Sequence, residues 1–200
     1  MRFYNFGIND IKKFKVSPDG FIQAALQVAS YVYFGRHVLT YESASLRAFK
    51  SGRTETIRSA TTLMTNFAKA FCEASKARGE IDAATKEKLV KMLRAATSRH
   101  SEISKACGQG NGCDRHLMGL KLAALTTGQP LPRIFSTHAY NLEFELATSQ
   151  TPILQEHMKA AVTMLTQGGG FAPTADPVPC RPVPCFLVLI FCSSIACWLK

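Results

Sequence analysis

The sequence predicts an α/β domain. Helical stretches recur along the chain, and one of them carries an extended apolar stripe. Segments of strand composition fall between them. Of the 200 residues 46% are hydrophobic and 19% charged, enough to bury one core and too ordinary for a disordered or collagen-like chain. No internal repeat of useful length is present.

Residues 3–16 read as a strand or loop that ends in the basic cluster Lys12-Lys13-Phe14-Lys15. Ser17-Pro18 then starts a helix: the serine caps it, and proline at the first helical position loses no hydrogen bond. This helix is expected over 18–34, with Phe21, Ile22, Ala25, Val28, Ala29 and Val32 as its apolar stripe and Gly35 as its stop. Val38 to Tyr41 has strand composition. Residues 43–60 are rich in hydroxyls and carry Arg47, Arg53 and Arg58, with a turn at Gly52. Helices follow over 62–77 and, capped by Asp82, over 83–105, where Leu89, Leu93 and Ala96 share one face. Gly108 to Gly112 is a flexible loop. Asp114 caps a further helix over 115–126, with Leu117, Leu120 and Leu125 inward. A turn at 128–132, a strand over 141–149 and a short helix over 152–165 complete the reading, closed by Gly168-Gly169-Gly170. After Asp176 the composition breaks, into alternating prolines and then an almost wholly apolar stretch from Cys185 to Leu199. That stretch is short for a spanning helix, which needs about 20 residues. Residues 1–176 are therefore read as the domain and 177–200 as a tail foreign to it.

Lys plus Arg number 24 against 14 acids, a formal charge of +10. That favours anionic partners: a nucleic acid, a membrane surface or a phosphorylated cofactor. Arg47, Lys50, Arg53 and Arg58 are not interleaved with aromatics, and no nucleic-acid motif occurs, so a nucleic-acid partner is not expected. Seven scattered cysteines, with no Cys-x-x-Cys pair and no zinc-like spacing, fit a reducing compartment and no metal. The first residues have no secretory signal. Five histidines stand in no dyad or triad pattern, and no dinucleotide or Walker motif is present. Lys12, Lys13 and Lys15 could meet phosphates as point charges, or be a solvated face. Tyr41, Ser43, Thr54 and Arg115 are the residue types that grip a carboxylate, a guanidinium fork with single hydroxyl donors, although sequence separation alone does not join them. Ser149 could donate to a developing oxyanion, or be an ordinary strand-end serine.

Several of these segments together resemble the carnitine/choline acyltransferase family. They are Phe6-Gly7, Ile11-Lys12-Lys13 and Ser17-Pro18-Asp19-Gly20-Phe21-Ile22-Gln23, then Thr40-Tyr41-Glu42-Ser43-Ala44-Ser45, Phe49 and Gly52-Arg53-Thr54-Glu55-Thr56-Ile57-Arg58-Ser59. Asp114-Arg115-His116-Leu117 and Ala147-Thr148-Ser149-Gln150 follow in the family's order. Within the family, Gly108-Gln109-Gly110 and Gly169-Gly170-Phe171-Ala172-Pro173 look most like the long-chain, mitochondrial type-two carnitine palmitoyltransferases.

The resemblance implies the incomplete C-terminal half of a two-domain, coenzyme A-dependent acyltransferase fold, a mixed sheet flanked by helices. It implies acyl transfer between coenzyme A, as co-substrate, and the hydroxyl of carnitine, with no permanently bound cofactor and no metal. Tyr41, Thr54 and Arg115 match positions that bind the carnitine carboxylate, and Ser43 lines the same pocket. Ser149 matches a position near the oxyanion and the carnitine ammonium. Lys12 matches a lysine facing the coenzyme phosphates and Asp19 a coenzyme-side contact. The implied setting is the mitochondrion, at the inner-membrane surface, or the peroxisome. The sequence departs from the family at Ile8, where a lysine is usual, and at Ala147, where a serine is. Residues 153–167 look longer than the family's stretch, and after Asp176 the family continues with a different glycine–aromatic motif. The catalytic histidine belongs to the family's N-terminal half, so the chain is expected to lack its general base. His116, beside Arg115, is not that base. A non-catalytic acyl-coenzyme A or partner-binding fragment and a basic nucleic-acid binder are the alternatives.

Overall fold

The computed structural model describes residues 7–76, 81–148 and 195. Helices α1 (Ile8–Lys13) and α2 (Pro18–Phe34) lead into a hairpin of β1 (Thr40–Ser45) and β2 (Thr54–Arg58). Then come α3 (Thr62–Lys76), α4 (Ala83–Gly108) and α5 (Asp114–Thr126), a 3-10 turn at Arg133–Ser136, and β3 (Leu146–Thr148). The sheet order is β2-β1-β3, antiparallel between β1 and β2 and parallel between β1 and β3. This is the mixed α/β arrangement expected.

Local chemistry sets the best-read elements. Ser17 Oγ accepts from the Gly20 N–H at 3.3 Å, Pro18 occupies the first turn, and Gly35 closes α2 in the left-handed conformation. Asp82 Oδ1 accepts from the Thr85 N–H at 2.9 Å and starts α4. The main core joins Phe21, Ala25 and Val28 of α2 with Phe67 and Phe71 of α3 and Leu89, Leu93 and Ala96 of α4. Full burial of each large side chain is worth about 1.5–3 kcal/mol. Leu146 of β3 joins this core, and so does Ile195, the one described residue of the tail.

Five expectations are corrected. Residues 8–13 are helical, not strand or loop: the Asp10 carboxylate accepts the Gly7 N–H at 3.0 Å and caps the turn, while Ile11 is buried. β1 starts at Thr40 rather than Val38 and runs on through Ser45, because its partner β2 lies in the hydroxyl-rich stretch. The strand expected over 141–149 is present only at Leu146–Thr148, since Thr137 to Asn141 form a turn closed by the Asn141 side chain. α5 buries no residue, and Leu120 and Leu125 are about half exposed. Its first two residues bond to β2, so it meets the sheet end-on instead of laying a face on the core. Nor does Asp114 cap it: Cys113 is the capping residue, and its side chain makes no bond to the helix backbone. The helix expected over 152–165 lies outside the described residues.

Candidate functional site

Alternation along β1 sorts its side chains. Thr40, Glu42 and Ala44 are buried, whereas Tyr41 and Ser43 are half-buried and Ser45 is exposed. The antiparallel register sets Arg58, Thr56 and Thr54 opposite Tyr41, Ser43 and Ser45, so these six side chains share the outer face. α2 and α4 lie against the inner face, where Gln27 donates to Thr40 Oγ1 at 2.8 Å and Ile57, Ala44 and Cys107 pack together.

α5 reaches the sheet at the free edge of β2. Asp114 takes Arg58 in a two-pronged pair at 2.6 and 3.0 Å, and Arg58 also stands 5.4 Å from the centre of the Phe144 ring. Phe144 in turn meets Tyr41 edge-on at 5.8 Å. The hydrogen bonds that Arg58 donates to Asp114 raise its pKa further. Arg115 follows β2 differently: its Nε donates to the Thr54 carbonyl at 2.9 Å, its Nη2 to Thr54 Oγ1 at 3.4 Å, and its backbone N–H to Glu55 Oε1 at 3.3 Å. Gly112 permits that approach, because a Cβ there would stand 2.2 Å from the Glu55 side chain. Among the described residues no carboxylate lies within salt-bridge reach of the Arg115 guanidinium. Two neighbouring basic groups thus differ: Arg58 is neutralised internally, and Arg115 is left available.

The inner face carries the other charged group. His100, 1% exposed, places Nε2 3.1 Å from Asp19 Oδ2 and 3.5 Å from Glu42 Oε2. Ser59 donates its hydroxyl to the same Glu42 oxygen. Burial disfavours the His100 cation, but the hydrogen bonds and charges of Asp19 and Glu42 more than reverse this and hold its pKa up at about 9. Among the described residues, Asp19, Glu42 and His100 are the one group of donor side chains that could hold a metal ion. A proton on His100 already supplies the cation that the two carboxylates need. Further along α2, Gln23 donates to Thr148 Oγ1, which donates to the Tyr41 carbonyl. Asp19, Gln23 and Gln27, each four residues apart, therefore form a polar stripe facing the sheet.

Of the residues singled out by sequence, Tyr41, Ser43 and Thr54 come together on the outer face, with Arg115 at its rim on Thr54. Lys12 is exposed on α1, and Asp19 faces His100 on the inner side. Ser149 lies outside the described residues. Lys13 is paired with Asp10 at 3.1 Å, and His116 is exposed. Sequence reasoning missed Glu42, His100 and Asp114. The first sits inside the Tyr41-Glu42-Ser43 motif, and the i, i+4, i+8 spacing of Asp19, Gln23 and Gln27 was the legible signal for a polar inner stripe. The pairing of His100 with Asp19 crosses 81 positions and left no signal.

A family profile described as Choline/Carnitine o-acyltransferase matches residues 1–177. Carnitine O-acetyltransferase of Columba livia is 43% identical over 152 residues, 75% of this chain and 23% of that protein. The liver isoform of carnitine O-palmitoyltransferase 1 of Homo sapiens is 36% identical over 177 residues, 87% of this chain and 22% of that protein. Choline O-acetyltransferase of Sus scrofa is 39% identical over 178 residues, 88% of this chain and 27% of that protein. The chain spans about a quarter of the length of these relatives. Their names include acetyl and palmitoyl, carnitine and choline, so the matches do not single out the type-two palmitoyltransferases. The chain belongs to the choline/carnitine O-acyltransferase family.

Proposed function

We propose that the chain supplies one wall of a site for acyl transfer between coenzyme A and carnitine, corresponding to part of the C-terminal half of the family's fold. The observation that carries the choice of carnitine is the state of Arg115. Its guanidinium is anchored through Thr54 and meets no acid among the described residues. Carnitine brings a carboxylate to complete that pair, and choline does not. Tyr41 and Ser43 stand on the same face, and about four residues of strand separate Thr54 from Arg58, which is opposite Tyr41. That is about 13 Å, so an acid held between Tyr41 and Arg115 lies across the middle of the sheet, over Ser43 and Thr56. In this reading Ser149 serves the oxyanion and the carnitine ammonium, as the resemblance implies, and Lys12 and Asp19 serve the coenzyme side.

The outer face offers donors and a cation, and the buried histidine is on the opposite side of the sheet. The 200-residue chain is accordingly read as binding its substrates without turning them over, with residues 177–200 a tail foreign to the family's sequence, although Ile195 packs into the core. The long-chain preference and the mitochondrial or peroxisomal setting rest on the resemblance alone. No helix among the described residues is long and apolar enough to cross a membrane. Calorimetry is the test: carnitine should bind and choline should not, and Arg115→Ala should abolish the difference. Palmitoyl-coenzyme A binding more tightly than acetyl-coenzyme A would support the long-chain preference. Robust acyl exchange by the chain alone, surviving His116→Ala, would overturn the non-catalytic reading.

A further inference from the structure

We propose that His100 is a positioning residue for the candidate site: by bridging Asp19 at the start of α2 and Glu42 in β1, it holds the strand that presents Tyr41 and Ser43. The geometry is specific. Nε2 lies between two carboxylates from different elements, and Ser59, just past the end of β2, contributes its hydroxyl to Glu42. Glu42 stands between Tyr41 and Ser43, so a shift of its carboxylate moves the backbone that carries both. The other ring nitrogen, Nδ1, is buried without a partner among the described residues, which leaves Nε2 as the anchored side of the ring.

Two carboxylates facing a neutral ring would leave uncompensated buried charge. A protonated ring offsets one of them, and the N-terminal end of α2 favours the charge on Asp19. From α2 the group facing His100 is Asp19 and from β1 it is Glu42. On α4 itself the Thr97 and Ser101 hydroxyls are spent on helix carbonyls. Close approach of α2 and α4 makes the bridge possible. A Cβ at Gly20 would stand 3.0 Å from the Thr97 Cβ, one turn before His100. Asp19 keeps its side chain 32% exposed, so the same carboxylate that holds His100 still meets solvent on the side where the coenzyme is expected.

The role rests on the proposed substrate site, and two readouts separate their failures. Calorimetry with carnitine and with coenzyme A, between pH 6 and pH 10, reads the function. Wild-type affinity should fall about tenfold as pH passes through about 9. His100→Gln, which keeps a neutral donor and loses the cation, should show that loss already at pH 7 and no step. Equal binding by wild type and His100→Gln at pH 7 overturns the proposal. Ring titration by NMR and amide exchange at Tyr41 and Ser43 need no ligand. The ring should titrate well above the ordinary histidine value, Asp19→Asn should lower it, and the protection factors of both amides, corrected for base catalysis, should fall as it deprotonates. If neither ligand binds, the substrate site fails and these readouts decide the role of His100. If His100→Gln does not fold, Asp19→Asn decides it. An ordinary titration midpoint unmoved by Asp19→Asn, with protection factors that do not change with pH, overturns the proposal.

Discussion

Tyr41 and Glu42 are neighbours in sequence and live on opposite sides of one thin sheet. On the inner side the charged and hydroxyl groups pair with one another, Glu42 with Ser59 and His100, Thr40 with Gln27, Thr148 with Gln23, while the Gln23 and Gln27 side-chain oxygens and His100 Nδ1 are buried without a partner among the described residues. On the outer side Arg58 is taken by Asp114, while the Arg115 guanidinium keeps donors that no acid meets among the described residues. The inner groups hold the strands in place, and the outer groups have capacity to spare for a ligand. A buried charge without a partner costs several kcal/mol, so the inner carboxylates are the groups that must be paired. A half-exposed guanidinium is solvated and can wait.

That contrast predicts a descending order of effects on stability. Glu42→Ala should cost the most, about 3–5 kcal/mol, because it strips His100 and Ser59 of a shared buried partner. Chemical denaturation reads this directly, and a loss under 1 kcal/mol would erase the distinction between the faces. The pH dependence of stability comes next. The folded-state pKa of His100 is raised to about 9 from 6.5, so its contribution is fully present below 6.5 and disappears as pH rises through about 9. The amount is on the order of 3 kcal/mol, and it should be absent in His100→Gln. Gly20→Ala adds a Cβ against Thr97 at 3.0 Å. Overpacking of about 1–3 kcal/mol is partly offset by up to about 1 kcal/mol of helix propensity, so a small net loss in thermal stability is expected, together with a lowered His100 titration. Smallest are Arg115→Ala and Thr54→Ala, within about 1 kcal/mol of wild type. Each should nonetheless weaken carnitine binding at least tenfold in calorimetry, the loss of a hydrogen bond to a charged group. A large destabilisation with unchanged binding would reverse the roles of the two faces.

Much of this was legible beforehand where the signal is local. Ser17-Pro18 and Gly35 bound α2, and Asp82 starts α4, because a cap bonds to a backbone group three residues away. The leucines of α5 misled. Spacing describes a helical face but not whether another element covers it, and here Arg58 and Thr54 hold the helix by its first turn. The 8–13 segment misled for the opposite reason. Its lysines suggested a basic loop, whereas Gly7, Asp10 and Ile11 supply a cap and a buried anchor for one helical turn. The hydroxyl-rich stretch announces its turn but not the partner strand β2, since threonines and charges give no apolar alternation.

By itself the sequence determined the caps, the main helices, the family motifs and the residue types suited to a carboxylate. Those depend on contacts within a few positions or on a motif's own order. Only the tertiary structure decided that Arg115 rests on Thr54 while Asp114 claims Arg58, and that Asp19 meets His100 across the α2–α4 contact. Such pairings join residues 56 to 81 positions apart. They form only once the hydrophobic core has brought the helices and strands together, so no local preference encodes them.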